Sequence, residues 1–499
     1  MRRLVSLAVS GVLLTCTPLV AQSPQSTPPS SDLIAPAKPD PAIADAIRTI
    51  SPGAVRADIA KLVSFGTRNT LSSMDTDLPP GQGINAAADW IESEFRAISA
   101  RCAGCLEVKR DDFIEPAQPS SPGRPSRIPR PTRLVNVYAI LHGTSDNKAA
   151  PWTLVTGHYD SRATNVLDSH TAAPGANDDA SGVAVSIESA RALSKLKLTG
   201  TIVFAAVAGE EQGLNGSHHL AQLAKSERWP LVAVLNNDIV GGDTTPGETQ
   251  QRKDVVRVFS ESVPATATPE QQRQMLALGA ENDSPSRELA RSIAELAPAY
   301  FLPLAQHSPA ALAGHPRTHS VRMLPGFRPV LIYRRDRYLR GGDHTSFNNE
   351  GFAAVRFTEW RENFNHQHQT LRTENGVEYG DLLKFVDPSY TAHVAQINAM
   401  TLASLAAAPS EPRTVHVLTR NLDNNTELTW EPSAFAPPGT TYEVLWRDTT
   451  DELWTHARSA GAETHLTLDV SKDNVLFGVR AVDAAGHASL PVPPVPARQ

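Results

Sequence analysis

Between Leu134 and Phe357 the chain alternates short, almost unbroken apolar runs with longer stretches of helical periodicity. The runs cover 134–141, 153–156, 201–207, 231–235, 330–333 and 353–357. Apolar runs of this length suit strands buried on both faces, and the segments 181–196 and 217–224 suit the helices that cross between them. The predicted class is therefore α/β, a mixed, largely parallel sheet sandwiched by helices. Upstream, Ala86 to Ile98 sets Ile91, Phe95 and Ile98 on one helical face beside Trp90, and the proline-rich stretch 116–131 reads as an extended surface loop.

After Pro409 the period changes from helical to two. Leu428 and Trp430, then Tyr442, Val444 and Trp446, then Leu466, Leu468 and Val470, then Phe477, Val479 and Ala481 alternate with polar neighbours. Such alternation predicts a small all-β sandwich over about residues 412–491, following a catalytic unit over 46–408. The 499 residues and 40% hydrophobic content accommodate both units with a large core in the first.

The first residues carry the basic, apolar and small-residue regions of an export signal, with Met1-Arg2-Arg3, the stretch Leu4 to Leu14, and Leu19-Val20-Ala21. Residues 1–21 are expected to be cleaved and the product to be secreted or periplasmic, with no stable membrane insertion. An uncleaved anchor fits less well, because Ser10, Thr15, Thr17 and Pro18 interrupt a run already short for spanning; lipidation at Cys16 is a loose match. Residues 22–45, rich in Pro, Ser and Ala, read as a flexible lead-in. Cys102 and Cys105 then form a lone Cys-x-x-Cys, which in an exported protein reads as a local disulfide rather than half a zinc site or a redox centre. The net charge of -7, with dispersed Lys and Arg, offers no electrostatic footprint for nucleic acid.

Candidate chemistry sits at or just beyond the ends of the apolar runs. His158 follows Thr156 by two residues, Glu210 and Glu211 follow Val207-Ala208-Gly209, and Asp238 follows Leu235-Asn236-Asn237. Asp178 lies in Gly-Ala-Asn-Asp-Asp ahead of a helix, and His344 in Gly-Gly-Asp-His-Thr-Ser beyond the run ending at Tyr333. In open α/β sheets the ligand crevice lies outside the carboxyl ends of the strands, and imidazole with carboxylate is the donor set that suits zinc. Taken singly, Asp178 reads as a helix N-cap, the glutamate pair as solvated and either histidine as structural. Their convergence on one rim favours a metal site.

In these motifs the chain resembles the co-catalytic double-zinc exopeptidases of metallopeptidase family twenty-eight, which includes bacterial leucyl aminopeptidases. The likeness runs from about Leu134 to Leu371, with a weaker echo at Gly66-Thr67-Arg68-Asn69. It implies two zinc ions, one held by His158 and Asp238, the other by Glu211 and His344, with Asp178 bridging them and a cis peptide after it. Glu210 is the implied general base, Asp160 the carboxylate that orients His158, and Asp343 a candidate for a similar part beside His344. The implied reaction is hydrolysis of peptides with a free N-terminus, by water activated between zinc ions ~3.5–4 Å apart.

Two stretches depart from the family pattern. Where many relatives have Tyr-His-Thr-Pro, this chain has Phe364-Asn365-His366-Gln367-His368-Gln369-Thr370, with two histidines as candidates for the usual pocket histidine. Arg334-Arg335-Asp336-Arg337 forms a charged approach that reads equally as a solvated loop or as substrate-binding. The β unit, with Trp430, Trp446 and 481–489, resembles a fibronectin type III module suited to docking or support. Two other functions compete: a glutaminyl-cyclase-like transferase with a single zinc, less favoured by Gly213-Leu214-Asn215-Gly216-Ser217, and a binding protein on the same scaffold, which predicts missing ligands.

Overall fold

The protein is described by a computed structural model covering residues 32–121, 123, 125–303, 323–421 and 423–497. Residues 1–21, expected to be an export signal, lie outside the described residues. Eight strands form the main sheet: β1 (Leu106–Glu115), β2 (Thr132–Leu141), β3 (Trp152–His158), β4 (Thr201–Val207), β5 (Leu231–Asn237), β6 (Val255–Ser260), β7 (Arg328–Ile332) and β8 (Ala354–Thr358). Their order is β1-β2-β4-β3-β5-β8-β6-β7. The central strands β4, β3, β5 and β8 run parallel, while β1 and β2 on one side and the β8–β6 pairing on the other are antiparallel.

Burial on both faces explains the unbroken apolar runs. In β4, Ile202, Phe204 and Ala206 enter one core, and Val203, Ala205 and Val207 the other. The first core is covered by α1 (Pro41–Ile47), α2 (Pro52–Val63), α3 (Gly83–Arg101), α4 (Ala180–Leu193), α7 (Pro285–Tyr300) and α9 (Pro388–Ala407), the second by α5 (Asn215–Ser226) and α8 (His344–Asn349). A further helix, α6 (Pro269–Leu278), has no buried residue. The sheet is thus the predicted mixed layer between helices.

Three features were not anticipated by the hydrophobic pattern. Packed structure begins earlier than residue 46, since Ile43 and Ala44 of α1 are buried. Strand β1, Leu-Glu-Val-Lys-Arg-Asp-Asp-Phe-Ile-Glu, is an edge strand with one neighbour and mostly half-exposed side chains, so charge hides its pairing. Strand β6 lies in a polar neighbourhood and pairs with β8 and β7. The predicted Cys102–Cys105 disulfide is present, just beyond α3. Among the described residues no helix is long and apolar enough to cross a membrane.

Beyond α9, strands β11 (Arg413–Leu418), β12 (Thr426–Glu431), β13 (Thr441–Asp448), β14 (His456–Gly461), β15 (His465–Leu468), β16 (Val475–Val482) and β17 (Val495–Ala497) form a second, all-β unit. A short hairpin, β9 (Arg372–Glu374) with β10 (Val377–Tyr379), precedes α9. The β unit has a four-stranded sheet, β15-β12-β11-β17, and a three-stranded one, β14-β13-β16. Leu428, Trp430, Tyr442, Val444, Trp446, Phe477 and Val479 fill the space between them, as the alternation requires.

This unit is docked on α7 by buried charge. Arg447 of β13 pairs with Asp283, which also meets Arg291 at 3.1 Å. Arg291 pairs in turn with Glu288, whose second oxygen accepts from Trp454 Nε1 at 2.8 Å. The chain's first described residues reach the same unit: Asp32 pairs with Arg458, Ile34 N donates to Thr455 O at 2.9 Å, and Asp40 meets His487 at 3.2 Å. Breaking a buried pair of this kind leaves an uncompensated charge, so the contacts fix how the units sit.

Burial pushes Glu288 up to about 7, against the pull of Arg291. Unfolded, the same carboxyl titrates near ~4.3. Between those values the native state alone retains the proton, so stability falls as pH rises through that window and levels off above it. Glu288→Gln is expected to flatten the slope, read from denaturant melts at pH ~5 and ~8; an unchanged slope assigns the dependence elsewhere.

Candidate metal centre

Three adjacent parallel strands deliver the site. His158 is the last residue of β3, Glu210 and Glu211 follow β4 by three and four residues, and Asp238 directly follows β5. Asp178 enters from the loop ahead of α4, with a cis peptide to Asp179 as the resemblance implied. The approach of α4 to β3 is possible because both contact points are glycine: a Cβ on Gly157 would stand 2.4 Å from Gly182 C, and one on Gly182 would stand 2.2 Å from Asn237 O. Asp179 caps α4 through Gly182 N at 2.9 Å and accepts from His158 N at 3.0 Å, locking the two loops together.

Two groups of ligand-grade atoms result, His158 with Glu210 and Asp238, and Asp178 with Glu211 and His368; within each the donor atoms lie within 4.8 Å of one another. The two oxygens of Asp178 face different groups. Oδ1 stands 3.2 Å from His158 Nε2, and Oδ2 stands 3.0 Å from His368 Nε2. Glu211 Oε1 is also 3.0 Å from His368 Nε2, and Asp238 Oδ1 is 3.9 Å from His158 Nε2.

The donor set fits divalent zinc. His158 Nε2 and Glu211 Oε1 are buried and make no hydrogen bond, although each faces groups of opposite character. Burial disfavours charge on both imidazoles, yet Asp160 and Asp178 hold His158 well above its usual range, and Glu211 and Asp178 raise His368 to about 10. Glu210 is pushed up by burial and by the neighbouring Asp238, Glu211 and Asp343 carboxylates. A cluster so acidic demands positive charge, and imidazole and carboxylate oxygen are ligands for zinc.

His344 does not take part as expected. It is fully buried at the start of α8, its Nε2 donating to Arg335 O at 2.8 Å, and burial lowers it to about 4. The place assigned to it is filled by His368, from the polar loop between β8 and β9, where φ is +57°. The other candidate, His366, is directed away: it stacks on Phe385 at 3.9 Å and meets Asp243 at 3.3 Å.

Asp160 orients the site more widely than expected. His158 Nδ1 lies 3.1 Å from its backbone oxygen and 3.5 Å from its carboxylate, which also accepts from Glu210 N at 3.3 Å and Glu211 N at 3.1 Å. One carboxylate therefore aligns the histidine and both glutamates. Three further positioning groups escaped the sequence: Asp381, accepting from Asn177 N at 2.9 Å and Asp178 N at 2.7 Å; Arg356, 2.7 Å from Asp238 Oδ2; and Gln367, donating to Asp178 Oδ2 at 3.2 Å. None lies in a motif at a strand end: Arg356 stands in the middle of β8, and Gln367 and Asp381 lie in polar loops. The site opens on a cavity of about 600 Å³ lined by Glu210, Glu211 and His368.

Comparison with known proteins bears on what such a centre does. The model of peptidase family M28 matches residues 136–288. A probable zinc metalloprotease of Pyrenophora teres f. teres is 43% identical over 467 residues, covering 93% of this chain and 89% of that protein. A second, from Leptosphaeria maculans, is 43% identical over 465 residues, covering 93% of this chain and 99% of the other. Among solved structures, LapA of Legionella pneumophila aligns with 73% of this chain and 76% of its own at 20% identity and a TM-score of 0.45.

Proposed function

The chain belongs to peptidase family M28 and is a zinc metalloprotease, and from that premise we propose that it is an exported aminopeptidase holding two zinc ions. The observation that carries the reading is the carboxylate of Asp178, with one oxygen toward His158 and the other toward His368. In this assignment His158 and Asp238 would hold one ion, and Glu211 and His368 the other, with Asp178 offering an oxygen to each group. Zinc held there would supply Lewis-acid chemistry for the scissile carbonyl and a lowered pKa for the attacking water.

Glu210 keeps part of its side chain toward the cavity. Its carboxylate takes the proton of the attacking water and passes it to the departing amine nitrogen. Asp160 holds the His158 imidazole and the backbone of both glutamates, while Asp381 fixes the chain on either side of Asn177. Gln367 steadies the oxygen that Asp178 turns toward His368. The β unit, read as fibronectin type III-like, has no ligand cluster among its described residues and acts here as a buttress for α7.

The test is mass spectrometry of peptides identical except for a free or acetylated N-terminus, incubated with the zinc-loaded protein. Stepwise loss of single residues from the free-ended member alone is expected. Trimming of both members, or ammonia loss from Gln-leading peptides without trimming, would overturn the aminopeptidase assignment.

A further inference from the structure

The cavity over the metal centre carries more positive charge than its own carboxylates answer. Arg127, Arg162 and Arg340 line it together with Glu210, Glu211 and His368. Arg127 donates through Nη1 to the Glu211 backbone oxygen at 2.9 Å. Arg162 donates to the backbone oxygens of Ala163 at 3.1 Å and Thr164 at 2.8 Å. Backbone oxygens carry no net charge, and neither guanidinium is paired with a carboxylate among the described residues.

Arg340 is only partly answered. Its partner Glu362, at 3.3 Å, is shared with Arg257 at 3.1 Å and Arg337 at 2.7 Å, so one carboxylate serves three guanidiniums. The excess continues outward. A second depression shares Leu339, Arg340 and Gly341 with the first and is lined by Arg334, whose side chain meets, among the described residues, only the Tyr338 hydroxyl, at 2.9 Å, and ring. The charged approach of 334–337 is thus continuous with the cavity rather than remote from it.

Guanidinium placed in a concave site recognises planar anions through paired N–H donors. Among the groups a peptide offers, the matching anion is a carboxylate. We propose that Arg127 and Arg162, with Arg340 beside them, bind a substrate carboxylate close to the scissile bond, so that the protein acts on acidic peptides. Two sources supply that chemistry: an Asp or Glu side chain at or next to the bond cut, and the C-terminal carboxylate of a peptide short enough to bring it into the cavity. Lys and Arg side chains are repelled from the same wall. The inference rests on the proposed aminopeptidase reading for the direction of the bound peptide, and on the cavity alone for the preference.

The experiment uses the zinc-loaded full chain and four amidated peptides, Ala-Ala-Ala-Ala, Glu-Ala-Ala-Ala, Ala-Glu-Ala-Ala and Ala-Lys-Ala-Ala, with Ala-Ala as free acid and as amide. Both kcat/KM and the calorimetric Kd are measured. A hydrogen-bonded charge pair favours the anion, so preference for carboxylate over neutral peptide is expected at roughly 10–100-fold, which is ~1.4–2.7 kcal/mol. In Arg127→Gln and Arg162→Gln that ratio falls toward one, and added salt lowers it in the unaltered protein. A preference confined to the Glu peptides names the side chain as the source; one confined to free Ala-Ala names the C-terminal carboxylate.

Equal Kd and kcat/KM for acidic and neutral peptides would overturn the proposal, as would a preference that survives both arginine substitutions. Preferential binding of acidic peptides without trimming of any free-ended peptide would leave the carboxylate site standing and remove the aminopeptidase reading. Trimming without preference would do the reverse.

Discussion

Glu210→Gln is expected to lower kcat by on the order of 10²–10⁴-fold while zinc stays at its unaltered stoichiometry. Glutamine keeps the shape of the side chain but cannot accept the water's proton, so the loss falls on turnover rather than on substrate affinity. The measurement needs the metal analysis as much as the rate, because Glu210 lies within ligand reach of His158 and Asp238. If zinc content fell with activity, Glu210 would be a ligand and the base would have to be sought elsewhere. Retained zinc with crippled turnover assigns the proton transfer to Glu210.

The second large effect separates two histidines. His368→Ala is expected to cost one of the two proposed zinc ions, read by metal analysis after dialysis, and to abolish peptide trimming. Losing a residue that merely orients a ligand weakens metal binding by about 10–100-fold, so loss of the ligand itself should cost at least as much. His344→Ala is expected to leave metal content unchanged and to lower the melting midpoint instead, since that imidazole is fully buried and bonded to Arg335 O. The opposite pattern, with zinc lost from the His344 variant alone, would return the ligand role to His344.

Five of the six metal-site residues named from the sequence come together because a parallel strand announces itself by an apolar run and then ends. His158, Glu210, Glu211 and Asp238 each stand at such an end, and Asp178 is flagged by its Gly- and Asn-rich loop before α4. His368 had no such signal. Its loop is polar, with no period, and its ring is aimed by a left-handed backbone and by two carboxylates from distant segments, Asp178 and Glu211. His344 misled for the converse reason: a glycine-rich lead and a polar flank read as an open loop, whereas residues 344–349 are a short buried helix. The same limit hid β1, whose alternating charges match an edge strand, and the docking of the β unit, which depends on pairs such as Asp283 with Arg447 that no local pattern encodes.

The tie between residues 32–40 and the β unit bears on the order in which the molecule can be completed. The clasp formed by Asp32 with Arg458 and Asp40 with His487 joins stretches 426 and 447 positions apart. At ribosomal speeds of about 5–20 residues per second, the early half of the clasp waits roughly 20–90 s for its mate to be synthesised. The helices and central strands find their last partner somewhat sooner, in α9, which packs on α1, α2 and α4. Closure of this ring thus cannot precede synthesis of Arg458 and His487, and a nascent chain stalled just before residue 458 would already hold every residue of the metal site with its first described residues still unclasped.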